Sequence, residues 1–206
     1  MRARSPRPGT RRGEERHVDR VVAFGDAVVA IAITLVVLPI VDAATDAPSA
    51  ADYFSSNGLS LASAGLSFVV IAVFWRAHHW LFTDATGYSS AILHLEALWL
   101  ASIVFLPVAT VLDFTGDGGD PLALGVYIGT MLVGSVTLRV ERLLLERGGY
   151  IRDGAHIPAP ELWAGAGLLA AALVLAVAFP RIGAYWLLLL FLEEPLLAAV
   201  RRTGRG

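Results

Sequence analysis

Val21-Val22-Ala23-Phe24-Gly25-Asp26-Ala27-Val28-Val29-Ala30-Ile31-Ala32-Ile33-Thr34-Leu35-Val36-Val37-Leu38-Pro39-Ile40-Val41 decides the fold class. Asp26 is the only charge in the run, and about 20 apolar residues at 1.5 Å each cross the ~30 Å core of a bilayer. Five more windows of this kind follow: Gly58–Leu81, Ile92–Leu112, Leu122–Leu138, Leu162–Phe179 and Ile182–Val200. Pro180-Arg181-Ile182-Gly183 reads as a tight turn between the last two, because Pro breaks a helix and Gly permits the reversal. The fourth window is the least regular, since Gly125, Gly129 and Gly134 lower its helix preference. The expected fold is therefore an all-α integral membrane protein with six transmembrane helices.

Composition agrees. Hydrophobic residues make up 56% and charged residues 17% of the 206, against about 45–50% and 25% in soluble domains. Mean hydropathy is +0.64. A formal net charge of −2 excludes a strongly basic nucleic-acid binder. The absence of cysteine removes disulfides, thiolate metal sites and cysteine nucleophiles. No nucleophile–base spacing or phosphate-binding loop occurs, so an enzyme is not expected, and no cofactor is implied.

The arginines set the orientation. Arg2, Arg4, Arg7, Arg11, Arg12, Arg16 and Arg20 precede the first window, whereas 42–57 carries only acids: Asp42, Asp46 and Asp52. Segment 113–120 is again purely acidic, with Asp113, Asp117 and Asp120. All 16 basic residues are Arg, and with six spans all but Arg181 fall on one face. By the positive-inside bias that face is cytoplasmic, with both termini inside and the chain in the cell membrane. Residues 1–17 are Arg-, Pro- and Gly-rich and read as a disordered cytoplasmic arm, either plainly solvated or touching anionic lipid. Residues 18–202 form the membrane domain and 203–206 a short tail. A cleaved signal is rejected, because the first apolar run is too long and holds an acid.

On one continuous helix, Ile31, Thr34, Leu35 and Leu38 share a face, with Val22, Asp26, Val29 and Ile33 opposite. The simplest account of such a stripe is contact with lipid or a neighbouring helix. Asp26 is more telling, since a carboxylate at that depth faces the protein interior. His78 and His79 reach the same inner depth, as do Glu96, Glu193 and Glu194. An Asp26–histidine pair, acting as a polar clamp between the first two helices, is the expectation. The inner clustering argues against a proton relay through the membrane thickness. Adjacent histidines point about 100° apart, which argues against a shared metal ion.

Arg20-Val21-Val22-Ala23-Phe24-Gly25-Asp26, followed by Ala30-Ile31-Ala32-Ile33-Thr34-Leu35-Val36-Val37-Leu38, resembles the signature of the transmembrane protein 175 family, the endosomal and lysosomal potassium channels and their bacterial relatives. Phe74-Trp75-Arg76-Ala77-His78-His79-Trp80-Leu81-Phe82 and Phe105-Leu106-Pro107-Val108-Ala109-Thr110 resemble two further family features. The likeness spans roughly residues 18–112. It implies a passive potassium-permeable channel, with four six-helix subunits in the bacterial form around a pore lined by the first helix. It assigns Ile31, Leu35 and Leu38 to a hydrophobic constriction and Thr34 to a polar layer beside it. It assigns Arg20, Phe24, Gly25, Asp26, Trp75, His78 and His79 to a network holding the first helix. The family's Ser stands as Gly25 here, and its third-span Asn is absent, with Glu96 nearby. The expected partners are potassium ions, lipid and further copies of the chain, with no resident metal. The rival readings are an ion- or proton-coupled secondary transporter or exporter, and a non-conducting membrane scaffold.

Overall fold

The computed structural model describes residues 8–115, 120–152, 157–193, 195, 197 and 198. Seven α-helices appear among them: α1 Pro8–Leu35, α2 Leu38–Thr45, α3 Ala50–Ser56, α4 Gly58–Thr83, α5 Ser90–Thr115, α6 Pro121–Arg147 and α7 Ala159–Ala178. A 3-10 helical segment, Pro180–Leu192, follows. The helical turns of α1 run back to Pro8, into the stretch read as a disordered arm; residues 1–7 and the 203–206 tail lie outside the described residues.

Five stretches are long and apolar enough to cross a membrane: Val18–Thr45, Gly58–Thr83, Ser90–Leu112, Pro121–Arg147 and Ala159–Ala178. The shortest has 20 residues, about 30 Å at 1.5 Å each. The chain is thus a multi-pass membrane protein. Residues 182–192 of the sixth expected window, and the Pro180-Arg181-Ile182-Gly183 turn before it, lie instead in the 3-10 segment, whose 13 residues extend about 26 Å at ~2.0 Å each. Phe179 N–H closes α7 onto Leu175 O at 2.8 Å, and Pro180 prevents the helix from continuing.

The first window is not one unbroken helix. Pro39 has no N–H to give Leu35 O, and its ring crowds that carbonyl. The ladder therefore stops at Leu35, Val37 N–H turns back to Thr34 O at 3.1 Å, and α2 begins with Pro39 in its first turn. Pro107 is absorbed inside α5 instead. One turn further on, the buried Thr110 hydroxyl donates to Leu106 O at 2.8 Å and meets Ser67 Oγ of α4 at 2.6 Å. Such hydroxyls stabilise membrane helices around a proline.

α5 and α6 form the centre of the subunit. Half of each apolar window is buried, against 22% for α1 and for α4. Trp99, Ile103 and Leu106 of α5 meet Leu124, Ile128 and Leu145 of α6 in one core with Ile71 of α4. At the expected inner end, two connections are stitched together. Ala85 and Ile151 form an antiparallel bridge, Thr86 N–H donates to Tyr150 O at 2.7 Å, and Arg152 N–H to Asp84 O at 3.1 Å. The α6 terminus makes this possible. Gly149 takes φ +68, so Tyr150 N–H reaches Leu145 O and Gly149 N–H reaches Glu146 O, a left-handed cap that glycine adopts without a steric penalty.

Candidate functional site

α1 has two faces with different fates. Val18, Gly25, Val29, Ala32 and Val36 are buried at spacings of seven, four, three and four, the pattern of a helix packed on its neighbours along one stripe. α4 and α5 are those neighbours. The other face is bare: Ile31 is 61%, Leu35 42% and Leu38 53% exposed, and Phe24 and Thr34 are exposed with them. The Thr34 hydroxyl donates to Ile31 O at 2.7 Å, so its oxygen keeps free lone pairs toward that face. Leu38 opens α2 after the break, and its direction is set by the turn at Val36-Val37 rather than by the period of α1.

The polar residues at the inner end pair differently from the expected Asp–His clamp. Asp26 accepts from Trp75 Nε1 at 2.7 Å. Trp75 and His79 stand one turn apart on the exposed side of α4, with ring centroids 5.7 Å apart. His78 is turned about 100° from His79 and is fully buried. Its partner is Glu96 of α5: Nε2 lies 3.0 and 2.9 Å from the two carboxylate oxygens. The His78 ring stacks on Trp99 at 4.1 Å and 9°, with Phe82 at 4.8 Å. Asp26 thus takes the indole donor that α4 presents outward, while His78 faces into the bundle, where the carboxylate on offer is Glu96.

Gly25 is where α1 approaches that pair. A Cβ there would stand 3.2 Å from His78 Cε1 and 3.3 Å from Glu96 Oε1. The bare Cα of Gly25 leaves room on α1 for the His78–Glu96 pair. A cavity of about 380 Å³ opens beside it, lined by Arg20, Val21 and Phe24 of α1, Tyr88, and Leu93, Glu96, Ala97 and Leu100 of α5. Among the described residues no three acidic, histidine or cysteine side chains come together as a metal site.

One buried group escaped the sequence reading. Glu141 is wholly buried, and neither carboxylate oxygen has a hydrogen-bond partner. Ending the fourth window at Leu138 left it in a connection, yet α6 continues to Arg147. The resumption of Leu143-Leu144-Leu145 after Arg139, Glu141 and Arg142 was the available signal.

These features define a class first: a multi-pass helical membrane protein whose leading helix is anchored along one face and bare along the other. The family model described as the endosomal/lysosomal potassium channel TMEM175 matches residues 20–107. A potassium channel of Streptomyces collinus (strain DSM 40733 / Tue 365) is 30% identical over 138 residues, covering 65% of this chain and 67% of the relative. The chain belongs to the TMEM175 potassium channel family.

Proposed function

We propose that the protein is a passive potassium-permeable channel, formed by four copies around a pore lined by α1. The observation that carries this reading is the division of α1 into an anchored face and a bare face of large branched residues. One helix cannot surround a pore, so the bare face calls for symmetry-related copies. Family membership and the naming of the Streptomyces collinus relative as a potassium channel supply the ion. Ile31, Leu35 and Leu38 then form a hydrophobic constriction that gates by width and dewetting, with the Thr34 hydroxyls partly replacing hydration water. Gly25, Asp26, Trp75 and His78, with His79 beside Trp75, hold the helix from behind, and Arg20 and Phe24 complete the network from the exposed side of the same stretch. The expected sixth window, Ile182–Val200, supplies the sixth crossing in this reading. Both termini face the cytoplasm in the cell membrane in this reading, which the arginine distribution supports.

Purified protein in liposomes, loaded with potassium or sodium under an imposed gradient, tests the function. Electrogenic, non-saturating flux that favours potassium is expected. Flux that saturates and needs a co-substrate indicates a coupled transporter, and no flux indicates a scaffold.

A further inference from the structure

The molecule holds a second polar centre, set away from the bare face of α1. Gly134 of α6 fixes its level, since a Cβ there would meet Ser102 Oγ of α5 at 2.8 Å and Phe74 Cε1 of α4 at 3.2 Å. Moving inward from this point leads four residues along α4 to His78, six back along α5 to Glu96 and seven along α6 to Glu141. At 1.5 Å per residue these lie about 6–11 Å deeper, in one layer. Glu141 lies within electrostatic reach of Glu96. The same layer contains two more buried polar atoms without partners, His78 Nδ1 and Trp99 Nε1.

We propose that Glu141, with Glu96 behind it, is a buried binding site for a small monovalent cation, either a proton or an alkali ion. An isolated carboxylate in an apolar interior is costly unless something neutralises it. Hydrogen bonding does not help Glu141, because neither oxygen has a partner. The charges around it do not supply a counter-ion. On α5 the neighbour is Glu96, a second carboxyl group, and on α4 His78 is already engaged with Glu96. On α6, Arg142 binds Glu146 through Nε at 2.7 Å. Arg139 donates to Ser135 O and, through Nε, to Leu162 O at 2.6 Å. On the α7 side, Arg139 Nη2 and the Glu193 carboxylate converge over Gly165, and Glu161 sits in the first turn of α7. No triad of ligating side chains forms among the described residues, which disfavours a multivalent metal. The cavity reaching Glu96 between Arg20 and Tyr88 gives the layer an approach from the α1 side. A bound cation neutralises the Glu141 carboxylate, and its release leaves that charge uncompensated within reach of Glu96.

Glu141→Gln keeps the shape and removes the charge, and the assembled protein in detergent supplies readouts independent of conduction. If a proton is bound, infrared difference spectra show the carbonyl stretch of a neutral carboxylic acid, and thermal melting responds to pH; both are lost in Glu141→Gln. If an alkali ion is bound, melting rises with potassium or sodium against an organic cation at equal ionic strength, and that rise is lost instead. Wild type and Glu141→Gln with the same spectra, and the same response to pH and to alkali ions, overturn the site. Should Glu141→Gln fail to assemble, Glu96→Gln decides. Removing the neighbouring negative charge must move the melting response to lower pH or higher alkali concentration, and a response identical to wild type overturns the proposal.

Discussion

Gly25 brings α1 against the His78–Glu96 pair that joins α4 to α5. The Gly25→Ala methyl would press on His78 and Glu96 at 3.2–3.3 Å, and overpacking of this kind costs about 1–3 kcal/mol. Glu96 is the partner that can withdraw, so Glu96→Asp in the Gly25→Ala background is expected to restore part of the lost melting temperature. Equal losses from Gly25→Ala in both backgrounds would mean that the contact is not the source of the strain. Asp26 is the other anchor. Its bond to Trp75 joins α1 to α4 at 2.7 Å on the exposed side of α4, and of the about 1.5–3 kcal/mol that hydrogen bonds to charged groups contribute, the lower end is the upper bound here. Asp26→Ala and Trp75→Phe are each expected to lower melting in detergent. A double variant no worse than the more affected single one marks a shared interaction, whereas additive losses would dissociate the two residues.

At the scale of the element, α1 is defined by what covers it. Shrinking Leu35 on the bare face widens the proposed constriction and lowers its dewetting barrier, so Leu35→Ala is expected to raise cation flux and weaken potassium preference. Ile33 packs against the core, and Ile33→Ala should change stability more than conduction. Flux opened by Ile33→Ala and untouched by Leu35→Ala would place the pore on the other face. The cap of α6 is a separate device. Gly149 at φ +68 lets Tyr150 accept from Thr86 across the inner connections. A Cβ in the left-handed region costs roughly 1–2 kcal/mol. Gly149→Ala should therefore lower melting and accelerate proteolysis at the 84–88 and 148–152 connections, whereas unchanged protection would show that the bridge does not stabilise this end.

Over the whole molecule, the two loop systems separate charge. The 42–57 side is acidic, while the N-terminal segment and the end of α6 through Arg152 carry most of the arginines. Ala50→Cys is therefore expected to react with an impermeant thiol reagent added outside cells, and the native chain gives no background because it has no cysteine. Labelling from the cytoplasmic side alone would invert the topology. The uneven burial carries the same logic: α5 and α6 are half covered within one subunit, whereas α1 and α4 are left mostly bare. In lipid, bare apolar helices are tolerated, so exposure alone does not dictate assembly; the arrangement of branched residues on α1 does that work in the proposed channel.

Membrane class, five of the six helical windows and the motifs at Phe24-Gly25-Asp26 and His78-His79 were readable from residue type and spacing, because bilayer thickness and the helical period act locally along the chain. The two faces of α1 were legible for the same reason. Partner choice was not. Asp26, His78, Glu96 and Trp75 all reach one depth, and several pairings satisfy a one-dimensional reading. Packing of α4 and α5 decided that Asp26 meets Trp75 and that His78 meets Glu96. The break at Val36-Val37 was signalled by Pro39, yet a proline inside α5 left that helix whole, so only the surroundings distinguish a stop from a tolerated kink. Glu141 lay beyond the expected end of its helix, and its burial depends on α6 extending two turns further between its neighbours. Depth along an axis is written in sequence, whereas direction around it is fixed by what packs there.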